Sequence, residues 1–360
     1  HFLMKNILVN ILNLLDPEMA HKFAIYAISS EMIENKNLSK IPIQLGNLKF
    51  QHPIGLAAGF DKSAECFSGA FRLGFSSVEI GTVTPLPQSG NDKPRIFRLK
   101  EYNALINRYG FNNDGMAVVI NRIKKKAISQ KGILGVNIGP NKNSQNPLKD
   151  FNILSSRLSN YADYLAINIS SPNTPGLRSF HEKSSLIDVI DSCIDGIKKS
   201  KHDKPIFLKI SPDITSKELE DVIDVSIFKK IDALIISNTT VYRDKKINHK
   251  SIDEKGGLSG KPLFLRSSRI LEKARIISEG KISLIGVGGV DTAEHAYAKI
   301  LIGASLIQIY TSFIYKGPEV LQKILYDLLK FMHRDGFKSL SEAVGVLDFK
   351  EAMKINNIKL

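Results

Sequence analysis

The sequence is poor in cysteine and has no long apolar run. Its two cysteines, Cys66 and Cys193, are too few for a disulfide scaffold in 360 residues. We therefore expect a reduced, intracellular protein in which each thiol is a small buried hydrophobic group. No apolar stretch approaches the roughly 20 residues that a membrane-spanning helix requires, and the N-terminal region lacks the small-residue cleavage site of a signal peptide.

Clusters of metal ligands and catalytic triads are also missing. The sequence has no His/Cys group and no paired carboxylates at metal-ligand spacing, so neither a zinc site nor a two-metal site is predicted. No Ser-His-Asp order is evident. Both absences argue against a metallohydrolase or a serine hydrolase.

The chain is basic, with a formal net charge of +14. Such a balance suits nucleic acid, anionic lipid or acidic small molecules. The Lys and Arg residues are scattered, however, without the basic-aromatic register of an RNA-binding sheet, so nucleic acid is not predicted as a partner. The 43% hydrophobic content argues against disorder and suits one large globular domain with a modest extension.

Residues 1–40 are predicted to form an amphipathic helical hairpin. Its second helix follows Asp16-Pro17-Glu18, which supplies an N-cap, a proline at the first helical position and an acid in the first turn. The hairpin could bury its apolar stripes against each other, the main domain or lipid, and a purely structural cap fits the pattern equally well. The stripes, at helical spacing, are Leu8, Ile11, Leu12 and Leu15, and then Ala20, Phe23, Ala24, Ala27 and Ile28.

Residues 41–345 are predicted to form a (β/α)8 TIM barrel of the α/β class. Short continuous apolar runs recur there, separated by amphipathic stretches of helix length, as parallel strands buried on both faces require. Eight runs favour a closed barrel, whereas seven or nine would favour an open doubly wound sheet. The runs span residues 53–59, 76–82, 132–139, 164–170, 205–211, 233–239, 283–289 and 306–311.

Three shorter segments complete the predicted organisation. Residues 43–51 alternate around Gly46-Asn47 and resemble a small hairpin. Residues 85–113 form a long insertion that we expect over the barrel mouth. Residues 346–360 are a C-terminal extension with a possible terminal helix.

Polar residues gather where the predicted strands end, which is where loops of such a barrel surround a shared pocket. Amides, hydroxyls and two lysines, Lys62 and Lys209, lie there, with few carboxylates and no histidine. Amide side chains suit a flat ligand such as a pyrimidine ring, and a strand-end lysine suits an anionic flavin or a carboxylate. A phosphate site is predicted after the last two strands, where backbone N–H groups face an anion. Its residues are Gly260, Gly286, Gly288, Gly289, Tyr310 and Thr311.

Eight motifs follow one another along the chain: LDPE (15–18), AAGFDK (57–62), EIGTVTP (79–85), PRIFRL (94–99), INRYGFNN (106–113), NISSPNT (168–174), GGLSG (256–260) and GVGG (286–289). Taken in order, these motifs resemble class 2, quinone-dependent dihydroorotate dehydrogenase from about Leu14 to Gly345. Their order and spacing together are highly specific, although no single motif would suffice.

The resemblance implies oxidation of (S)-dihydroorotate to orotate in de novo pyrimidine (UMP) biosynthesis. Ser171 would remove the C5 proton while the C6 hydrogen leaves as hydride to the flavin, and Thr174 would help to relay the proton. A serine at its free pKa is a weak base, so it must act within a preorganised site. Substrate contacts are implied for Lys62, Asn107, Asn168, Asn173, Asn238 and Thr239, and the backbone of Asn107, Arg108, Tyr109, Gly110 and Phe111 is expected to line the same pocket.

The implied cofactor is flavin mononucleotide (FMN). Lys209 would stabilise negative charge at the N1/O2 edge of the flavin as it is reduced. Position 237 is Ser where the family more often carries Thr, which we expect to be a tolerated contact. Contacts to the ring and ribityl chain are implied for Ala58, Gly59, Phe60, Asp61, Lys62, Thr82, Asn137, Asn168, Lys209 and Ser237, and contacts to the phosphate for Gly260, Gly289, Tyr310 and Thr311.

The class assignment depends on position 171 and on the N-terminal hairpin, because class 1 relatives use a cysteine base and lack the hairpin. In class 2 the hairpin lies on the membrane surface and forms a tunnel for quinone, which His21, Arg98 and Tyr310 are expected to line. The resemblance therefore implies a protein held peripherally on the cytoplasmic face of the inner membrane, attracted to anionic lipid and without an iron-sulfur partner subunit.

Three alternatives remain open from the residues alone. A class 1 enzyme or a tRNA dihydrouridine synthase would need a strand-end cysteine, which the sequence lacks. A phosphate-binding barrel isomerase or lyase would be colourless. A basic peripheral protein without any chemistry would tolerate replacement of Ser171.

Overall fold

The structure, a computed structural model, describes residues 15–30, 38–126, 132–173, 180–200 and 202–360. Helix α1 (Pro17–Ser29) is the second helix of the predicted hairpin. Asp16 starts it, because its Oδ1 accepts the N–H groups of Glu18 and Met19 at 3.0 and 3.1 Å. Residues 1–14, with most of the first predicted helix, and residues 34–37 of the predicted linker lie outside the described residues.

Helix α1 packs on helix α2 (Phe67–Arg72). The two approach closely because Gly69 has no side chain, and a Cβ there would lie 1.9 Å from the Ile28 carbonyl oxygen. An ion pair also ties α1 to the insertion, since the Arg95 guanidinium donates to both Glu18 carboxylate oxygens, at 2.6 and 3.2 Å. The described helix is therefore fixed to the main domain at two points.

Eight parallel strands close into a barrel, as the eight apolar runs predicted. The ring closes where the last strand pairs with the first, with Ile307 opposite Ile54. This pairing excludes the open doubly wound alternative. In order around the ring the strands are β3 (Ile54–Leu56), β4 (Ser77–Val83), β7 (Ile133–Ile138), β8 (Tyr164–Asn168), β9 (Ile206–Ile210), β10 (Ala233–Ile236), β12 (Ser283–Val287) and β13 (Ala304–Ile309).

Burial on both faces explains why these strands read as continuous apolar runs. Every residue of β4 is buried. Inside the ring, Gly135 leaves room for the Tyr164 ring, because a Cβ there would lie 2.1 Å from Tyr164 Cζ. That space lets the Tyr164 hydroxyl reach Glu79 Oε2 at 3.0 Å within the barrel.

Helices cover the barrel, and some of them begin at a conventional capping group. Asn146 Oδ1 accepts the Lys149 N–H at 3.0 Å at the start of α4 (Pro147–Leu158), and Thr215 and Glu218 form a capping box at the start of α6 (Ser216–Phe228). The remaining helices of this layer follow α2 in chain order. They are α3 (Met116–Lys126), α4 (Pro147–Leu158), α5 (Lys183–Ser200), α6 (Ser216–Phe228), α7 (Phe264–Ser278), α8 (Ala293–Leu301), α9 (Thr311–Lys316) and α10 (Glu319–Arg334).

The predicted hairpin before the barrel is present as β1 (Ile43–Leu45) and β2 (Leu48–Phe50), paired antiparallel. The insertion contains β5 (Ile96–Leu99) and β6 (Ala104–Asn107), which form a sheet with β11 (Gly257–Gly260). The sequence indicated the insertion but not this third strand, which comes from a distant loop.

The C-terminal segment packs on the same core as the barrel helices. After α11 (Leu340–Ala343), the N–H groups of Gly345 and Leu347 bond to carbonyls at the end of α8, both at 3.0 Å. The last helix, α12 (Phe349–Ile355), then buries Ala352 and Met353. Within the described ranges, no helix has the length and apolar character needed to cross a bilayer.

Candidate active site

A cavity of about 1200 Å³ opens at the carboxyl ends of the barrel strands. We call it the polar cavity. The strand ends, the insertion sheet and the loops after β10 and β12 form its wall. It collects most residues predicted to contact substrate or flavin: Ala58, Gly59, Lys62, Thr82, Asn107, Tyr109, Gly110, Phe111, Asn168, Ser171, Asn173, Lys209, Ser237, Asn238, Thr239, Gly260, Gly289, Tyr310 and Thr311.

Phe60 and Asp61, predicted as flavin contacts, are absent from this wall. Asp61 is fully buried, and its carboxylate accepts the N–H groups of Glu65 and Cys66 at 2.8 Å each. It therefore holds the turn that leads into α2. The Phe60 ring packs edge-on against the His21 ring at a centroid distance of 5.1 Å. Neither side chain faces the polar cavity.

The Arg108 side chain also points away from the cavity, although its neighbours in the chain line it. Its guanidinium pairs with Glu254 at 2.7 Å and lies 4.6 Å from the Phe97 ring centroid. Thr174, predicted to relay a proton, belongs to residues 174–179 and so falls outside the described residues. Its role stays a prediction.

Asn137, also predicted as a flavin contact, does not line the cavity but is fully buried beneath it, where it organises the polar groups above. Its Nδ2 donates to the Glu79 carboxylate, so its Oδ1 is left to accept from Thr82 Oγ1 at 2.6 Å and Asn168 Nδ2 at 3.1 Å. A carboxylate can only accept hydrogen bonds, which fixes this orientation of the amides. The donors to Glu79 are Asn137 Nδ2 at 2.8 Å, Tyr164 OH at 3.0 Å and Gln308 Nε2 at 2.8 Å.

Ser171 is buried just beyond the end of β8. Within the described chain, its hydroxyl oxygen has one hydrogen bond, from the Asn173 N–H at 3.3 Å. Asn173 Nδ2 in turn donates to the Asn107 carbonyl at 3.1 Å, which joins the Ser171 loop to the insertion. Across the cavity, Asn238 Nδ2 donates to Ser170 Oγ at 3.0 Å. Serine and amides from three separate segments thus converge on one space.

Two lysines place cationic groups in this space. Lys209 is buried and lines the cavity, and its ammonium has no hydrogen-bond or ion-pair partner among the described residues. Burial lowers the pKa of Lys209, an effect that the Glu79 carboxylate partly offsets. The Lys62 ammonium lies 4.1 Å from the Tyr109 ring centroid, and burial lowers the pKa of Lys62 to about 8. Because neither ammonium has a hydrogen-bond acceptor among the described residues, both call for an acceptor on a ligand.

Glycines surround the other end of the polar cavity. Gly260 has a φ of +90°, and a Cβ there would lie 2.1 Å from the Asn103 carbonyl oxygen. Gly289 has a φ of +75°, and a Cβ there would lie 2.5 Å from Phe264 Cα. Both positions therefore require glycine, and both bring bare backbone to the wall. Such a cradle fits an anionic phosphate.

The sequence prediction missed charged residues at this glycine end. Lys261, Asp291 and Lys316 line the cavity there, and Lys316 forms an ion pair with Asp291. Lys261 directly follows Gly260, so proximity to a predicted phosphate contact could have found it. Lys316 is the last residue of α9 and Asp291 lies in the loop after β12, and nothing in their local patterns indicates that they meet.

A second cavity, of about 980 Å³, lies between α1, the insertion and α9. We call it the apolar cavity. His21, Arg98 and Tyr310, the residues predicted for a quinone tunnel, all line it. The missed residues Leu105, Phe313 and Ile314 line it as well, together with alanines of the predicted α1 stripe. Its wall is otherwise mainly hydrophobic.

The polar groups of the apolar cavity are few and have defined partners. The Arg98 guanidinium donates to the Leu15 carbonyl at 2.6 Å. Burial lowers the pKa of His21 well below its usual value, and the nearby Lys62 lowers it further, so the imidazole is neutral at neutral pH. Asn107, Tyr109 and Tyr310 line both cavities and form the wall between them.

The polar cavity fits a flavin nucleotide on two observations. The ammonium of Lys209 lacks an acceptor within the described protein. The glycine end presents backbone where a phosphate tail would lie. Among the described residues, no cluster of His, Cys, Asp and Glu could hold a metal ion.

Residues 41–332 match the family model described as Dihydroorotate dehydrogenase. The chain belongs to the dihydroorotate dehydrogenase family. This confirms the resemblance seen in the motifs. The dihydroorotate dehydrogenase family is generally flavin-dependent.

Curated relatives in this family carry a quinone-specific name. "Dihydroorotate dehydrogenase (quinone), mitochondrial" from Oryza sativa subsp. japonica is 44% identical over 94% of this chain and 78% of that protein. "Dihydroorotate dehydrogenase (quinone)" from Rhodopseudomonas palustris strain HaA2 is 43% identical over 93% of each chain. These names agree with the class 2 assignment.

A solved structure agrees as well. The crystal structure of DHODH from Eimeria tenella in complex with ferulenol superposes with a TM-score of 0.88 at 36% sequence identity. The match covers 92% of this chain and 95% of that chain. The likeness therefore extends over the barrel and most of the segments that surround it.

Proposed function

We propose that this protein oxidises (S)-dihydroorotate to orotate with FMN and passes the electrons to a membrane quinone, as a step of de novo pyrimidine biosynthesis. One observation carries the proposal: a polar cavity with a buried serine and two lysines shares a wall with an apolar cavity. The first suits a charged heterocycle beside a flavin, and the second suits an apolar acceptor.

The substrate is placed at the Ser171 end of the polar cavity. The amides of Asn107, Asn173 and Asn238 can donate to and accept from the ring amide groups of dihydroorotate. Thr239 and Asn168 border the same space. The Lys62 ammonium supplies a positive charge for the substrate carboxylate. These contacts orient the ring with one face toward Ser171.

Ser171 is proposed as the base that takes the proton from C5 of the substrate. Its hydroxyl has no histidine or carboxylate partner among the described residues, so its reactivity must come from position and from exclusion of water. The N–H of Asn173 donates to Ser171 Oγ and holds it in place. Thr174 is proposed to carry the proton onward.

FMN is placed along the strand ends, with its phosphate at the glycine end. When bound, FMN accepts the hydride from C6 of the substrate and delivers the electrons to quinone. Lys209 supplies the positive charge at the edge of the ring where negative charge develops. Thr82 and Ser237, which line the cavity, would border the ring, and Gly260, Gly289 and Thr311 would border the phosphate.

Quinone is placed in the apolar cavity, with Arg98 and His21 as polar groups for its carbonyls. The outer face of α1 exposes Met19, Phe23 and Tyr26, at 53%, 53% and 76% of their surfaces, beside the exposed Lys22. Such a face suits peripheral attachment to anionic lipid, proposed here for the cytoplasmic side of the inner membrane. No iron-sulfur subunit is needed in this scheme.

A visible spectrum of the purified protein, followed by anaerobic additions, tests the proposal. The protein should be yellow, dihydroorotate should bleach the flavin absorbance, and a quinone with a short apolar tail should restore it with release of orotate. A colourless protein that FMN does not reconstitute, or a flavin that dihydroorotate leaves oxidised, would refute the proposal.

A further inference from the structure

Lys299 is a fully buried lysine on α8 that the proposed reaction does not use. Its ammonium donates to Ser267 Oγ at 2.8 Å and lies 5.2 Å from the Phe264 ring centroid. No carboxylate pairs with it among the described residues. Because an unpaired buried charge is costly, its retention here needs a reason.

The Ser267 hydroxyl that Lys299 contacts also faces two backbone carbonyls, which gives the buried lysine a reason. The Ser267 hydroxyl is 3.0 Å from the Gly288 carbonyl oxygen and 3.1 Å from the Phe264 carbonyl oxygen, and it can donate to either. The Lys299 ammonium donates to the Ser267 oxygen. The Ser267 hydrogen must therefore point toward the carbonyls. Lys299, Ser267 and Gly288 thus form one directed chain of hydrogen bonds.

These hydrogen bonds determine the direction of the next peptide N–H, which is that of Gly289. In a planar trans peptide the carbonyl and the following N–H point in opposite directions. With the Gly288 carbonyl held beneath the turn, the Gly289 N–H is directed toward the polar cavity, which Gly288 and Gly289 both line. That N–H has no acceptor among the described residues.

We propose that Lys299 and Ser267 are positioning residues for the phosphate of the flavin: Ser267 orients the Gly289 N–H, and the buried ammonium adds positive potential behind it. The inference rests on the proposed binding of FMN. Neither residue lines the cavity, so both act through the Gly288–Gly289 turn.

The surrounding charges agree with this role. Burial lowers the pKa of Lys299 to about 7, which an anion bound at the turn would counteract. His295 stacks on Phe264 at 4.2 Å, and burial lowers the pKa of His295 to about 4, so it is neutral. Lys261 faces the same end, whereas Lys316 is paired with Asp291.

The test compares FMN with riboflavin, which has the same ring and no phosphate. The dissociation constants of both flavins are measured by fluorescence for the flavin-depleted full chain and for Lys299→Met and Ser267→Ala. Both variants should weaken FMN binding, by about tenfold and about fivefold respectively, and leave riboflavin binding unchanged. Ser268→Ala is the matched control, since Ser268 is the next residue of α7, is equally buried and has an unpartnered hydroxyl.

Each possible result of this experiment either supports or overturns one of the two proposals. Equal weakening of both flavins would mean that the residues only support the fold, and this would overturn the inference, as would unchanged FMN binding in both variants. If Lys299→Met does not fold, Ser267→Ala alone decides. A wild-type chain that binds neither flavin would instead refute the proposed function.

Discussion

The two cavities lie side by side, and the side chains that line them differ in polarity. The polar cavity presents amides, hydroxyls and four lysines at the barrel mouth, whereas the apolar cavity presents alanines, leucine, isoleucine and phenylalanine between α1 and the insertion. Their common wall is formed by Asn107, Tyr109 and Tyr310. Under the proposed function, dihydroorotate and quinone can therefore reach the same flavin from separate binding sites.

The contrast implies that the two half-reactions can be damaged separately. Changes in the polar cavity should slow flavin reduction by substrate, and changes in the apolar cavity should slow its reoxidation by quinone. A variant that affects both halves equally would show that the wall couples the cavities. The following predictions begin with the largest expected effect.

Replacement of Ser171 by Ala should slow flavin reduction by dihydroorotate by about 100-fold or more, because positioned general bases typically contribute a factor of 10² to 10⁴. The bound flavin should keep its absorbance, and reoxidation by quinone should proceed at the normal rate. Stopped-flow absorbance measures both halves. Reduction within a few-fold of wild type would remove Ser171 from the catalytic role.

Replacement of Ala24 by Phe should fill the apolar cavity that this residue lines. The KM for quinone should rise about tenfold, which corresponds to about 1.4 kcal/mol of binding free energy, while flavin reduction by dihydroorotate stays unchanged. Steady-state assays with a short-tailed quinone measure the effect.

Ser30→Phe is the matched control for Ala24→Phe, because it adds the same ring at the exposed C-terminal end of α1, outside the apolar cavity. It should leave the KM for quinone near the wild-type value. A similar rise in both variants would indicate a general disturbance of α1 and would argue against quinone in this cavity.

The smallest effect is expected from pH. Burial lowers the pKa of Lys62 to about 8, so its ammonium is present below pH 8 and is lost as the pH rises through that value. Between pH 7 and 8.5 the protonated fraction falls about fourfold, and kcat/KM for dihydroorotate should fall to a similar extent. Lys62→Met should flatten this limb, and the quinone half-reaction should show no such dependence. A limb that persists in Lys62→Met must come from another group.

Much of the barrel was predictable from local patterns. Strands buried on both faces leave continuous apolar runs, and the residues just after them, such as Ser171 and Lys209, must meet at one end of a closed ring. The pairing of β11 with β6 was not predictable, because it joins segments far apart in the chain. The glycine-rich sequence of β11 also lacks the apolar pattern of a strand.

The direction of individual side chains also could not be predicted from the sequence. A motif predicts which segment borders a site but not which residues face it, so Phe60, Asp61 and Arg108 were expected in the polar cavity and point elsewhere. Conversely, Lys299 lies in a helical stretch where a lysine ordinarily faces solvent. Its burial beneath the Gly288 turn appears only in three dimensions.

The insertion sheet has a consequence for how this protein can change. In its register Asn107 lies opposite Gly257 and Ala104 lies opposite Gly260, so one short ladder sets the separation between the Asn107 end and the Gly260 end of the polar cavity. A slip by one residue would turn every side chain of β6 to the other face. An insertion within β6 should therefore displace both ends of the polar cavity at once, because residues at the two ends are held by the same ladder.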